Sequence, residues 1–277
     1  MQEPKKYPEP LEALMVVLGV FVVLIIAIAV LSVINEGRVA QPDTLIENSR
    51  YFYIFGGSLF LILPLLYAKL RRYPIKTLFR LNPVPGSVLL VSIPLGLSLT
   101  ILGDELDRLI GLIITIPDWV YEMMYPLKAE GTGDWILIIT GAVIVASVAE
   151  EFLFRGLMQV TLEKKGDATR AVLLASLTWT LVHQNPYWAV EIFILGVFIG
   201  FIAWRTNSVY PAIIVHGINN MIGVLVLNAD DLQGMNSWYE WRGHVSPIVL
   251  VCALGGLLWS LRWLSLKYQE DSESGYH

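Results

Sequence analysis

Apolar residues in this chain run in blocks long enough to cross a bilayer, separated by short polar stretches. A spanning helix needs roughly 20 mostly apolar residues. Eight segments approach that length: residues 12–34, 52–70, 86–103, 135–162, 171–186, 188–204, 208–227 and 246–266. The pattern predicts an all-α fold, a polytopic membrane helix bundle of about eight transmembrane helices. The fourth segment is long and charged in its second half. Only brief turns, near Gln184-Asn185-Pro186-Tyr187 and Arg205-Thr206-Asn207, divide the fifth, sixth and seventh. The first segment exceeds the 7–15 residues of a signal-peptide core, so it is expected to remain as a span. Between the third and fourth lie an acidic stretch (Asp104, Glu105, Asp107, Asp118, Glu122, Glu130, Asp134) and a short apolar piece, Leu109 to Pro117, expected at the interface. The tail from Gln269 to His277 reads as disordered.

Composition agrees with the pattern. Of 277 residues 55% are hydrophobic and only 16% charged, against about 25% charged in an ordinary soluble domain. A single cysteine, Cys252, excludes a disulfide scaffold and is expected to be packing. The net charge of -5, without a basic stripe, argues against nucleic-acid binding. Lys and Arg stay preferentially on the cytoplasmic side. With eight spans, Lys5, Lys6, Lys69, Arg71, Arg72, Lys76, Arg80, Lys164, Lys165, Arg170, Arg205, Arg262 and Lys267 share one side. Arg38, Arg50, Arg108, Lys128 and Arg242 share the other, so both termini are predicted to be cytoplasmic.

Ionisable side chains at membrane depth are costly and mark functional positions by default. The fourth segment contains Glu150, Glu151 and Arg155. Glu151 and Arg155 are i,i+4 in the favourable order for an ion pair. Glu150 is turned away by about 100°, which leaves its carboxylate for chemistry; the bland alternative is a structural pair plus an interfacial glutamate. His183 lies in the fifth segment, and His216 and Asn220 share a face of the seventh. At about 1.5 Å per residue, Glu150 lies roughly 18 Å from Leu162 and His183 roughly 20 Å from Arg170. His216 and Asn220 fall roughly 12 and 18 Å from Ser208. Three helices thus place their polar groups in one layer.

Glu-Glu-x-x-x-Arg, then aromatic-x-x-x-His, then His-x-x-x-Asn on membrane helices resembles the CPBP family of intramembrane proteases, the CAAX prenyl endopeptidase and bacteriocin-processing (Abi) group. The likeness covers about residues 134–227 and departs in one place: Trp179 stands where the family usually has Phe, which predicts an altered pocket wall. The resemblance implies Glu150 as general base for a water shared with His183, with His216 and Asn220 donating to the oxyanion and Glu151–Arg155 as supporting ion pair. It implies residues 1–130 as N-terminal transmembrane helices and interfacial loop, 131–227 as catalytic helices, and 228–277 as the last span and cytoplasmic tail. The expected substrate is a membrane-associated peptide or protein, with a prenylated CAAX-like terminus as one case, and the expected partner surface is the lipid bilayer. No cofactor is expected. Zinc on Glu150, His183 and His216 is the alternative behind the family's metalloprotease label, although His-Glu-x-x-His is absent.

Two other classes compete: a non-catalytic scaffold or immunity-type protein, and a proton-coupled transporter using Glu150, Glu191 and the histidines as relays. No inverted repeat supports the latter. Gly131-Thr132-Gly133-Asp134 reads as a helix start rather than an aspartyl-protease motif. Gly196 and Gly200 read as a close helix crossing. Trp119, Tyr121, Tyr125, Trp238 and Trp241 read as an interfacial belt, and His244 and His277 as solvated. Glu191 is left between an interfacial and a cavity-lining role.

Overall fold

The computed structural model describes residues 7–36, 42–229 and 236–273. Lys5, Lys6, Arg38 and His277 lie outside them. The eight apolar segments appear as eight helices: α1 Pro10–Glu36, α2 Pro42–Leu70, α3 Gly86–Gly111, α4 Thr132–Lys165, α5 Ala168–Val182, α6 Ala189–Thr206, α7 Tyr210–Leu227 and α8 Pro247–Glu273. Seven are long and apolar enough to cross a membrane; α5, with 15 residues, is the shorter one. At 1.5 Å per residue α5 reaches only about 22 Å, against a hydrocarbon core of about 30 Å. The turn that follows it therefore falls short of the far interface. Irregular backbone at such depth is tolerated where protein or a wet cavity surrounds it.

Three boundaries differ from the sequence expectation. Helix α3 continues past residue 103 to Gly111, taking in Asp104, Glu105 and Asp107 of the acidic stretch, with Asp104 and Arg108 an i,i+4 ion pair at 3.2 Å that supports the extension. Helix α8 runs to Glu273, so the tail expected to be disordered is helical for its first part. His244 is not a solvated loop residue: it sits on a two-stranded hairpin, Glu240–Trp241 with His244–Val245, and its Nδ1 lies 2.9 Å from Glu105. Arg242 and Gly243 both have positive φ, the conformation such a tight hairpin needs. Cys252 is exposed on α8 rather than packed. The five aromatic residues expected in the interfacial belt are all exposed. Thr132 does begin a helix, α4.

The core packs around the second half of α4. Leu153 and Phe154 meet Leu95 of α3, Trp179 of α5, Ile199 and Ile202 of α6 and Val215 of α7. Gly196 and Gly200 let α6 lie against α5. A Cβ at Gly196 would come within 2.9 Å of the Trp179 ring and 3.1 Å of Ser176. Gly196→Ala is therefore expected to cost about 1–3 kcal/mol by overpacking, seen as a lower unfolding temperature in detergent. A second polar tie anchors the loop after α2. Arg80 pairs with Glu163, Gln159 bonds Glu163 at 2.9 Å, and Gln159 also donates to the Gly200 carbonyl at 3.0 Å. Burial pulls the Arg80 guanidinium below its ordinary range, with Glu163 opposing that shift.

Candidate active site

Helix α4 is α-helical at Ala146–Glu151 but flanked by two π-helical stretches, Ile139–Val145 and Phe152–Met158. Such wide turns are rare and concentrate at functional positions. Between them stand Glu150 and Glu151. Glu151 is fully buried and its Oε1 lies 2.9 Å from both Arg155 Nη1 and His216 Nδ1. The i,i+4 pair foreseen in the sequence is thus present, but Glu151 serves two partners. Arg155 is equally buried; Nη2 donates to the Gly196 carbonyl at 3.1 Å, and the guanidinium lies 4.5 Å from the Trp179 ring centroid. The glycine at 196 therefore does more than admit a crossing helix: it opens the carbonyl that takes Arg155.

Glu150 is not a wholly free carboxylate. Its Oε2 accepts from the indole Nε1 of Trp179 at 2.7 Å and stands 4.0 Å from His216 Nε2. That last distance exceeds a direct hydrogen bond and leaves room for one bridging oxygen. Glu151 on Nδ1 orients the His216 ring and turns Nε2 toward Glu150, the usual way a carboxylate fixes an imidazole. Glu151 Oε2 is buried without a partner among the described residues.

His183 is placed by the end of α5. Gln184, at φ 52, terminates the helix, and the last carbonyls are left without helical donors. His183 Nδ1 takes one of them, the Trp179 carbonyl, at 2.7 Å. With its proton there, Nε2 is an acceptor. His183 is exposed, and the Trp179 ring sits between the two imidazoles, at centroid distances of 4.9 Å to His183 and 5.3 Å to His216. Asn220 shares the α7 face of His216, but its Nδ2 donates to the Ala142 carbonyl in the first π stretch at 3.0 Å. One of its two N–H groups is therefore committed to the backbone.

The structure brings Glu150, Glu151, Arg155 and His216 into one connected cluster, sets His183 beside it across Trp179, and ties Asn220 to α4 one turn away. Glu150, His183 and His216 do not converge as a three-ligand metal set, and no such group occurs among the described residues. As arranged, these residues do not fit zinc. Trp179 is the residue whose role the sequence understated. It is buried in the core cluster and touches Glu150, Arg155, His183 and His216. Its spacing four residues before His183 was the available signal, and only the indole N–H makes it more than a wall.

Residues 132–222 match the family model described as Type II CAAX prenyl endopeptidase Rce1-like. No curated protein and no solved structure matches the chain. The matched stretch is about a third of the chain and holds the motifs that carry the resemblance. The chain's apolar helices make this a multi-pass membrane protein, and residues 132–222 are similar to that family.

Proposed function

We propose that the protein is an intramembrane endopeptidase that hydrolyses a peptide bond of a membrane-associated substrate by glutamate-activated water. The observation that carries this reading is the pair Glu150 Oε2 and His216 Nε2, facing each other at 4.0 Å across a gap of one oxygen. A water in that gap would lose its proton to Glu150 as it attacks the scissile carbonyl. Charge develops on the carbonyl oxygen; His216, doubly protonated with Glu151 on Nδ1 stabilising the imidazolium, would donate through Nε2–H, together with the second N–H of Asn220. Glu151 and Arg155 neutralise one another, so Glu150 does not face a bare second carboxylate. As the C–N bond breaks, Glu150 would return that proton to the departing amine nitrogen, with His183, whose Nε2 is an acceptor, relaying it on the open side. In this reading both termini lie on the cytoplasmic side, where the excess of Lys and Arg falls. A prenylated CAAX-like terminus is the substrate class that the family match favours.

Trp179 would tune the base. A hydrogen bond to a charged group is worth about 1.5–3 kcal/mol, and Trp179→Phe removes it while keeping a ring under Arg155. The variant is expected to lower kcat about tenfold with KM little changed and a modest fall in unfolding temperature from the lost bond and smaller ring; equal kcat would show that the indole N–H has no part. The function itself is tested by comparing peptide C-termini in membranes of cells producing wild-type protein or Glu150→Gln. Products present only with the wild type are expected. Identical sets would overturn the proposal.

A further inference from the structure

A second polar centre lies apart from Glu150, in a cavity of about 220 Å3 bounded by α3, α6, α7 and α8. Leu99, Leu106, Leu195, Phe198 and Leu257 give it an apolar wall, and Glu191 and Asn219 are its polar lining. Glu191 reaches this space because residue 103 is glycine: a Cβ there would sit 2.8 Å from Glu191 Oε1. A carboxylate facing hydrocarbon is costly unless something neutralises it. Among the described residues nothing does. Arg108, the guanidinium on the same end of α3, is committed to Asp104 at 3.2 Å, Glu240 at 3.3 Å and the Gly243 carbonyl at 3.1 Å. Glu105 is taken up by His244 at 2.9 Å and the Val245 N–H at 2.7 Å. Asp107 adds another carboxyl, with one oxygen buried and without a partner among the described residues. Glu191 thus stands between low-dielectric walls with no paired cation among the described residues, while Asp107 has Trp188 and Arg108 beside it.

Asn219 is the other polar residue of the lining. Thr100 Oγ1 stands 3.0 Å from the Gly96 carbonyl and 3.2 Å from Asn219 Oδ1, and its one proton is shared between these two acceptors. The Asn219 oxygen is thus taken up by α3, and Glu191 is the carboxylate at the polar end of a cavity lined elsewhere by hydrocarbon.

We infer that this cavity binds an alkylammonium: a primary ammonium on Glu191, with a short aliphatic stem along Leu99, Phe198 and Leu257. The size agrees, since an apolar cavity of about 150 Å3 holds benzene, and about 220 Å3 takes roughly six to eight heavy atoms on the same scale. The charge sets the sign of the ligand. An alcohol or carboxylate of equal length satisfies the walls but leaves Glu191 uncompensated. The inference is independent of the protease reading, because binding rather than cleavage is measured.

The test is titration of the purified full-length protein in detergent with n-hexylammonium chloride and with n-hexanol, followed by calorimetry and by unfolding temperature. Wild type is expected to bind hexylammonium saturably and at least tenfold more tightly than hexanol. Glu191→Gln, which keeps shape and removes charge, is expected to bind the two probes alike. Leu257→Phe, which fills the stem region and leaves Glu191 in place, is expected to weaken hexylammonium tenfold or more. Equal binding of both probes by wild type, or undiminished hexylammonium binding by Glu191→Gln, would overturn the inference. So would hexylammonium binding that Leu257→Phe leaves intact, since the ammonium would then sit elsewhere.

Discussion

Glu150→Gln is expected to reduce peptide-bond cleavage roughly 10²–10⁴-fold, with the unfolding temperature close to that of the wild type. The amide is the same size, can still accept from the Trp179 indole, and differs in losing the group that takes a proton from water. Half of Glu150's immediate contacts are therefore preserved while the proposed chemistry is removed. The side chain is partly exposed, at 22%, so no packing penalty accompanies the change. The check is single-turnover cleavage of a substrate found in the membrane comparison, alongside thermal unfolding of the same preparation. Cleavage at the wild-type rate would remove Glu150 from the reaction.

Arg155→Ala is expected to act oppositely, through the fold. Both Arg155 and Glu151 are fully buried. Removing one partner of a buried pair leaves an uncompensated charge and costs about 3–5 kcal/mol. Here the change also strips a donor from the Gly196 carbonyl and the cation from above Trp179. The expected outcome is a large fall in unfolding temperature and poor recovery from membranes. The double variant Glu151→Ala, Arg155→Ala should be less damaged than Arg155→Ala alone, because no bare carboxylate remains. His216 would still lose its orienting partner in that double variant, so its stability should recover without its activity. Equal damage in the single and double variants would show that size, not charge, sets the requirement.

How much of this was legible in the sequence depends on the range of the interaction. The apolar blocks predicted all eight helices, because hydrocarbon selects for unbroken runs and each run reports on itself alone. The Glu151–Arg155 pair was equally local, an i,i+4 relation within one helix. The small residues at 196 and 200 correctly announced a close crossing. What the sequence could not reveal was the partner at each crossing. His216 on Glu151, Trp179 on Glu150 and Asn220 on Ala142 join residues 29 to 78 positions apart, and periodicity is silent about which faces meet. Counting depth along each helix says nothing about which polar groups touch. His183 sits across an indole from Glu150 rather than on it. Helix ends were misjudged where polar side chains, such as Asp104 and Arg108, bond along the helix instead of ending it.

The account turns on Glu150 and His216 acting together on one water. Groups that work as a unit lose nearly everything when either is removed. The most direct measurement is a double-mutant cycle on kcat/KM with Glu150→Gln, His216→Ala and the pair of changes combined, using one peptide substrate. The predicted result is a combined variant hardly slower than either single variant. Losses that multiply would contradict the account, because the two side chains would then act at separate places.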